Sequence, residues 1–240
     1  MKKLFIIAIS LLVSVAMLMT ACKKDETNNG NNNGNNGGGG TTSVQWVDLD
    51  LPSGLLWADR NVGASSPELY GNYYAWGEIT RKEVYNWSTY AYSNGNDQLT
   101  KYCTKPENGL NGFTDNLTIL EASDDAATVN IGGGARTPTK EEWQELMDYT
   151  VSVWTTRNGV YGRLLTASNG NSIFLPAAGG RYDSNFSGAG EYGFYWSSSL
   201  REESPRYAWR FRLDSEESNF QDVYFNDRYR GFPVRAVRAR

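Results

Sequence analysis

The chain has 240 residues, with 23 Lys and Arg against 27 Asp and Glu, no histidine and two cysteines. Lack of imidazole excludes Ser-His-Asp and Cys-His catalysis and any His-ligated zinc or copper site. A net charge of −4 argues against nucleic acid, which favours a strong basic field.

Lys2 and Lys3 precede an apolar run from Leu4 to Met19, followed by Thr20-Ala21-Cys22. A basic start, an apolar centre and small residues before the cut mark a secretory signal, and the run is short for a membrane span. Met19-Thr20-Ala21-Cys22 resembles a bacterial lipobox, which implies a leader over residues 1–21 and a lipidated Cys22. Acyl chains contribute about 0.8 kcal/mol per buried CH₂ and would hold the protein on a membrane. Lys23-Lys24-Asp25-Glu26 resembles the export signal of surface lipoproteins in Bacteroidota, so a lipid-anchored, surface-exposed outer-membrane location is expected. Loss of Lys2 and Lys3 leaves 21 basic against 27 acidic residues, a net charge of −6. Residues 22–43 are then a linker, almost wholly Asn, Gly and Thr from Thr27 onward. Such a tract buries nothing that would offset its ordering entropy. As a coil its root-mean-square span is roughly 20–25 Å.

Residues 44–240 are long enough for one sizeable core, and no second linker interrupts them. Trp46–Leu49 and Leu55–Ala58 are expected as strands around a Pro52-Ser53-Gly54 turn. Glu68 to Glu78 is dense in rings: either a carbohydrate-stacking platform or, the favoured reading, the core of a loop-rich fold. Residues 94–118 form an irregular excursion with turn signals at Asn94-Gly95 and Asn108-Gly109. A short helix over Glu121–Ala127 leads to Gly132-Gly133-Gly134, read as a tight backbone approach because the P-loop ending is missing. Thr139 with Glu142 makes a capping box, and Trp143, Leu146 and Met147 give the helix an apolar face that should lie on a sheet. Val151–Thr156, Asn158-Gly159 and Val160–Thr166 spell a hairpin, and Asn169-Gly170 precedes another strand from Ser172. Few helices and many short strands point to an α+β domain dominated by antiparallel sheet. Cys103, the one cysteine after Cys22, is expected as a small buried hydrophobe without a disulfide.

The C-terminal fifth differs in character. Nine arginines lie between Arg201 and Arg240, accompanied by seven carboxylates. Trp209, Phe211 and Leu213 alternate with Arg210, Arg212 and Asp214, the period of a strand with one buried face, leaving the Arg/Asp face to solvent. Ser218 to Arg230 contains four aromatic rings and no Lys, Pro or Gly. Tyr, Arg and Asn suit recognition surfaces, so this stretch is expected to display ligand contacts. The candidates are Arg206, Tyr207, Arg210, Arg212, Tyr224, Asn226, Arg228 and Tyr229.

Leu51-Pro52-Ser53-Gly54-Leu55, Asn61-Val62-Gly63-Ala64, Tyr73 to Glu78, Arg136-Thr137-Pro138-Thr139, Asn171 to Gly179, Tyr195-Trp196-Ser197-Ser198 and Val234-Arg235 occur in order. Together they resemble the Fibrobacter succinogenes major paralogous domain family, common in exported Bacteroidota proteins, over nearly all of residues 46–238. That family is similar to the formylglycine-generating-enzyme branch of the C-type lectin-like fold. The resemblance implies about two helices around a twisted antiparallel sheet with long loops. The enzymes of that branch hold copper with paired thiols, and this domain has only Cys103, so the oxidase activity is not implied. The calcium-dependent sugar motifs of true C-type lectins are missing apart from Asn226-Asp227. A calcium site would rest on that pair, whereas hard cations need several clustered oxygens; no cofactor is expected.

Gly231-Phe232-Pro233-Val234-Arg235 also resembles the ending of variable proteins of diversity-generating retroelements. Twelve of the thirteen residues from Ser218 to Arg230 can arise by adenine mutagenesis of Asn codons, Gln221 being the exception; an ordinary paralogue with variable late loops is the competing explanation. The expectation is a non-catalytic surface lipoprotein that binds a protein or glycan through its C-terminal strands and loops. A carboxylate-based glycan hydrolase, which needs two acidic groups about 5–10 Å apart across a cleft, and a structural coat or adhesin unit are the alternatives.

Overall fold

The computed structural model describes residues 43–215 and 221–240. The expected leader, the lipidation site Cys22, the linker up to residue 42 and Ser218–Phe220 of the expected display stretch lie outside the described residues.

Strands dominate. β1 (Trp46–Asp48), β2 (Leu56–Asn61) and β11 (Arg235–Arg238) form one antiparallel sheet in the order β1-β2-β11. A hairpin sheet contains β3 (Thr150–Arg157), β4 (Val160–Ala167) and β5 (Ser172–Pro176). The largest sheet runs β10-β9-β8-β6-β7, from β6 (Ala178–Tyr182), β7 (Asn185–Ala189), β8 (Tyr192–Leu200), β9 (Tyr207–Asp214) and β10 (Gln221–Asp227). The helices are α1 (Ala126–Ile131) and α2 (Lys140–Asp148), with short 3-10 turns at Trp87–Thr89, Leu110–Gly112 and Ala122–Asp124.

This corrects the expected class. The molecule is about 40% strand and 12% helix, a predominantly β, sandwich-like arrangement of three sheets, not an α+β C-type lectin-like domain. α1 has six residues, under two turns, and Val62 to Glu121 holds only loops, turns and isolated bridges. Left-handed positions at Gly63, Gly71, Gly77, Gly95 and Gly112 interrupt any helix in that stretch.

Local signals set several elements. Thr139 caps α2 in a reciprocal box with Glu142, satisfying two otherwise orphaned N–H groups. Asn158 and Gly159 both adopt positive φ in the two-residue loop of the β3–β4 hairpin, as such a turn requires. Gly132, Gly133 and Gly134 all have positive φ, yet a Cβ at any of them would meet nothing within 4 Å. They serve backbone shape, not the close approach expected.

The main core gathers on α2. Trp143 stacks on Phe211 of β9 with ring centroids 4.7 Å apart and meets Trp57 of β2 edge-on at 5.0 Å. Leu146, Leu165, Leu175, Tyr195 and Val237 complete the cluster, so all three sheets converge on one indole. Tyr73, Tyr74, Ala75 and Trp76 are buried, which settles the ring-dense segment as core. Cys103 is free and buried, and burial pushes its thiol pKa up.

Candidate ligand-binding face

β9 lies between β8 and β10, and the register sorts the positions by face, although the adjacent Tyr224 and Phe225 rings stack on each other with centroids 4.1 Å apart. Tyr207, Trp209, Phe211 and Leu213 pair with Asp227, Phe225, Val223 and Gln221. Partners across an antiparallel ladder share a face, and here α2 packs over it, with Trp143 on Phe211 and the Lys140 ammonium 4.8 Å from the Trp209 ring. Ala208, Arg210 and Arg212 pair with Asn226, Tyr224 and Asp222, and Phe194 and Trp196 of β8 join from the other side. The period-two pattern around Trp209 is therefore a strand with Phe211 and Leu213 buried.

The arginine face is not left to solvent as expected. Arg210 is only 6% exposed. It pairs with the Asp222 carboxylate, and its guanidinium lies 4.9 Å from the Phe194 ring and 5.8 Å from Tyr224. Burial pushes the Arg210 pKa down while Asp222 pulls it back up. Next to it, half-buried Arg212 pairs with Asp214 at 3.0 Å. Tyr224 covers this row and remains 51% exposed. Arg210, Arg212, Tyr224 and Asn226 thus share one side of the ladder, with Asp214 and Asp222 on the same two strands and Phe194 brought in from β8.

The other candidates separate from this patch. Tyr207 points to the α2 side, its ring 5.3 Å from Phe225. Arg206, just before β9, pairs with Asp97 at 3.1 Å and lies over Trp87 at 5.3 Å. Arg228 and Tyr229 are corrections: they are 0% and 7% exposed and belong to the core. The Arg228 guanidinium donates to Tyr90 Oη and to the backbone carbonyls of Lys101, Tyr102 and Pro205 at 2.9–3.0 Å. It also lies 4.9 Å from the Trp76 ring. Tyr229 packs edge-on against Trp87 at 5.0 Å. Sequence pattern missed both because they follow the end of β10, where alternation stops and the chain turns inward.

Chemically, the face offers an exposed phenol beside the Arg210–Asp222 pair. Among the described residues no group of three or more carboxylates or thiols is placed to hold a metal. A small pocket lined by Trp76, Glu78, Asp124 and Trp196 has room for about one water. Its carboxylates are committed: Glu78 accepts from Lys82 and the Ala91 N–H, and Asp124 accepts from Lys101 and Tyr102. Among the described residues no helix is long and apolar enough to cross a membrane.

A family model for a domain of unknown function (DUF8237) matches residues 153–237, the stretch from β3 to β11 that includes this face. No curated protein and no solved structure matches the chain.

Proposed function

We propose that this protein is a non-catalytic, lipid-anchored binding protein of the outer-membrane surface that takes a protein or glycan ligand on the side of β9 and β10 that bears the exposed Tyr224 ring. One observation carries the reading: the exposed Tyr224 ring lies 5.8 Å from the Arg210 guanidinium, which Asp222 holds, beside the Arg212–Asp214 pair. A rigid aromatic beside fixed polar donors offers contact area at low entropic cost, and Tyr and Arg dominate interface energetics. The lipobox-like Met19–Cys22 and the ordered motifs that resemble an exported Bacteroidota family support the location.

The test takes the full chain to purified glycans and extracellular proteins immobilised on a surface. Tyr224→Ala is expected to weaken the captured ligand by about tenfold or more with the urea midpoint unchanged, and Arg212→Ala to weaken it similarly. A ligand bound equally by both variants would remove the face from the proposal. Cys22→Ser is expected to shift the protein from the membrane to the soluble fraction; a variant that still sediments with membrane would overturn the anchoring.

A further inference from the structure

A second surface feature lies at the opposite side of the large sheet, three strands from β10. Gly71, Asn72, Tyr73, Tyr85, Arg181 and the loop residues Arg81, Lys82 and Glu83 enclose a polar pocket of about 130 Å³. Its three cations do not share one environment. Lys82 is already engaged, donating to Glu78 at 2.7 Å and to the Thr89 carbonyl at 2.9 Å. Neither Arg81 nor Arg181 makes an ion pair with a described carboxylate.

The setting of Arg181 is informative. Its backbone is fixed on β6 by reciprocal hydrogen bonds with Gly231 at 2.8 and 3.0 Å. Its guanidinium carbon lies 5.2 Å from the Tyr73 ring and 5.3 Å from the Phe186 ring. A guanidinium set beside aromatic rings with no carboxylate partner keeps N–H donors for a planar or tetrahedral oxyanion. Exposed Arg81 adds a second cation to the lining. Of the nearby carboxylates, Glu78 is neutralised by Lys82, Asp183 accepts from Asn86 at 2.9 Å, and Glu83 is exposed at the rim. The lining carries three cations against one carboxylate, Glu83, on a chain of net charge −4, and that local excess favours anions.

We infer that this pocket binds the sulfate or carboxylate group of an acidic carbohydrate, held between Arg81 and Arg181. The carbohydrate follows from the rim. Phe186 is 44% exposed and lies beside Arg181, with Tyr70 6.4 Å from it, so a sugar ring extending from the bound oxyanion meets an aromatic wall. The volume takes an anionic group and not a whole polysaccharide segment, which places the rest of the ligand on the surface.

Titration calorimetry of the full chain would use a short sulfated oligosaccharide, a uronate oligosaccharide, a neutral one of the same length, and a phosphopeptide. Saturable binding of one or both acidic sugars is expected, weakening with added salt. The preferred sugar identifies sulfate or carboxylate as the bound group. Arg81→Ala and Arg181→Gln should each weaken binding by about tenfold or more, and Glu83→Gln should strengthen it. Arg81 is exposed, so its variant reports on binding without a folding question. Tyr224→Ala should leave this binding unchanged, which separates the pocket from the β9–β10 face. Absence of binding to both acidic sugars, undiminished affinity in Arg81→Ala, or preference for the phosphopeptide would each overturn the assignment.

Discussion

Arg228 Nε donates to Tyr90 Oη at 2.9 Å, and both residues are sealed from solvent at 0% and 3% exposure. The bond ties the end of β10 to the loop after the first 3-10 turn. No carboxylate neutralises this guanidinium in the contacts it makes; three backbone carbonyls and the Trp76, Tyr90 and Tyr102 rings surround it. Such an arrangement uses the planar five-donor fork of arginine, which an ammonium cannot reproduce. Arg228→Ala would leave buried carbonyls unpaired and a cavity beside Trp76. The expected loss is about 3–5 kcal/mol in urea unfolding, with Arg228→Lys recovering little of it. Near-native stability in either variant would mean that the carbonyls find water or other partners.

Tyr224 and Tyr229 lie five residues apart and should respond in opposite ways to the same substitution. Tyr224→Ala removes an exposed ring and is expected to change stability by no more than about 0.5 kcal/mol. Tyr229→Ala empties a site against Trp87 and Tyr182 and is expected to cost about 3 kcal/mol or more. Equal effects in denaturant titrations would reverse the burial assignment of one ring. The pair also separates binding from folding: only Tyr224→Ala should alter ligand capture.

Periodicity and caps were legible where short-range chemistry decides structure. Thr139 with Glu142, Asn158-Gly159 and the alternation through Trp209–Leu213 each determine a local conformation within a few residues, and α2, the β3–β4 hairpin and β9 follow. The fold class was not legible, because it depends on how strands pair across the chain. Arg235 illustrates the difficulty. Its charge suggests a surface position, yet it is fully buried, donating to Asn61 Oδ1 and to the carbonyls of Ala58 and Phe174 at 2.9 Å. Burial lowers its pKa to about 10. These acceptors lie 61 to 177 residues away, so nothing local marks the site. The same holds for the arginine row of β9, where Asp222 and Phe194 reach Arg210 only through strand register.

Gly231 has a steric reason to be glycine. A Cβ there would fall 2.5–2.8 Å from three atoms of the Tyr85 ring, which is itself held by a hydrogen bond from its hydroxyl to the Tyr73 carbonyl at 2.8 Å. The residues that follow are equally tied. Phe232 packs on Trp196 with centroids 4.6 Å apart, and the Val234 carbonyl accepts from the Val62 N–H. The Gly231–Arg235 segment is therefore tied to β6, to β8 and to the residue after β2. Gly231→Ala is expected to destabilise the protein by about 1–3 kcal/mol through overpacking, read as a lowered Tm. An unchanged Tm would show that Tyr85 moves aside freely.

Acid stability should depend on Asp124. Burial alone would raise its pKa, but hydrogen bonds from Lys101, Tyr102, Tyr92 and Ser123 outweigh that effect and hold it below the ordinary aspartate value. A folded-state pKa below the unfolded one gives stability that is fully present above the unfolded value, near ~4, and lost as pH falls through the folded value. Lys101 spans two carboxylates, at 2.6 Å from Asp124 and 2.5 Å from Glu121, so protonation of Asp124 loosens the link between the 94–118 excursion and the turn before α1. Asp124→Asn is expected to lower stability at pH 7 and to reduce the further loss between pH ~4 and pH ~2. Urea midpoints measured across that interval decide the matter. An acid-induced loss of unchanged size in the variant would assign it to other carboxylates.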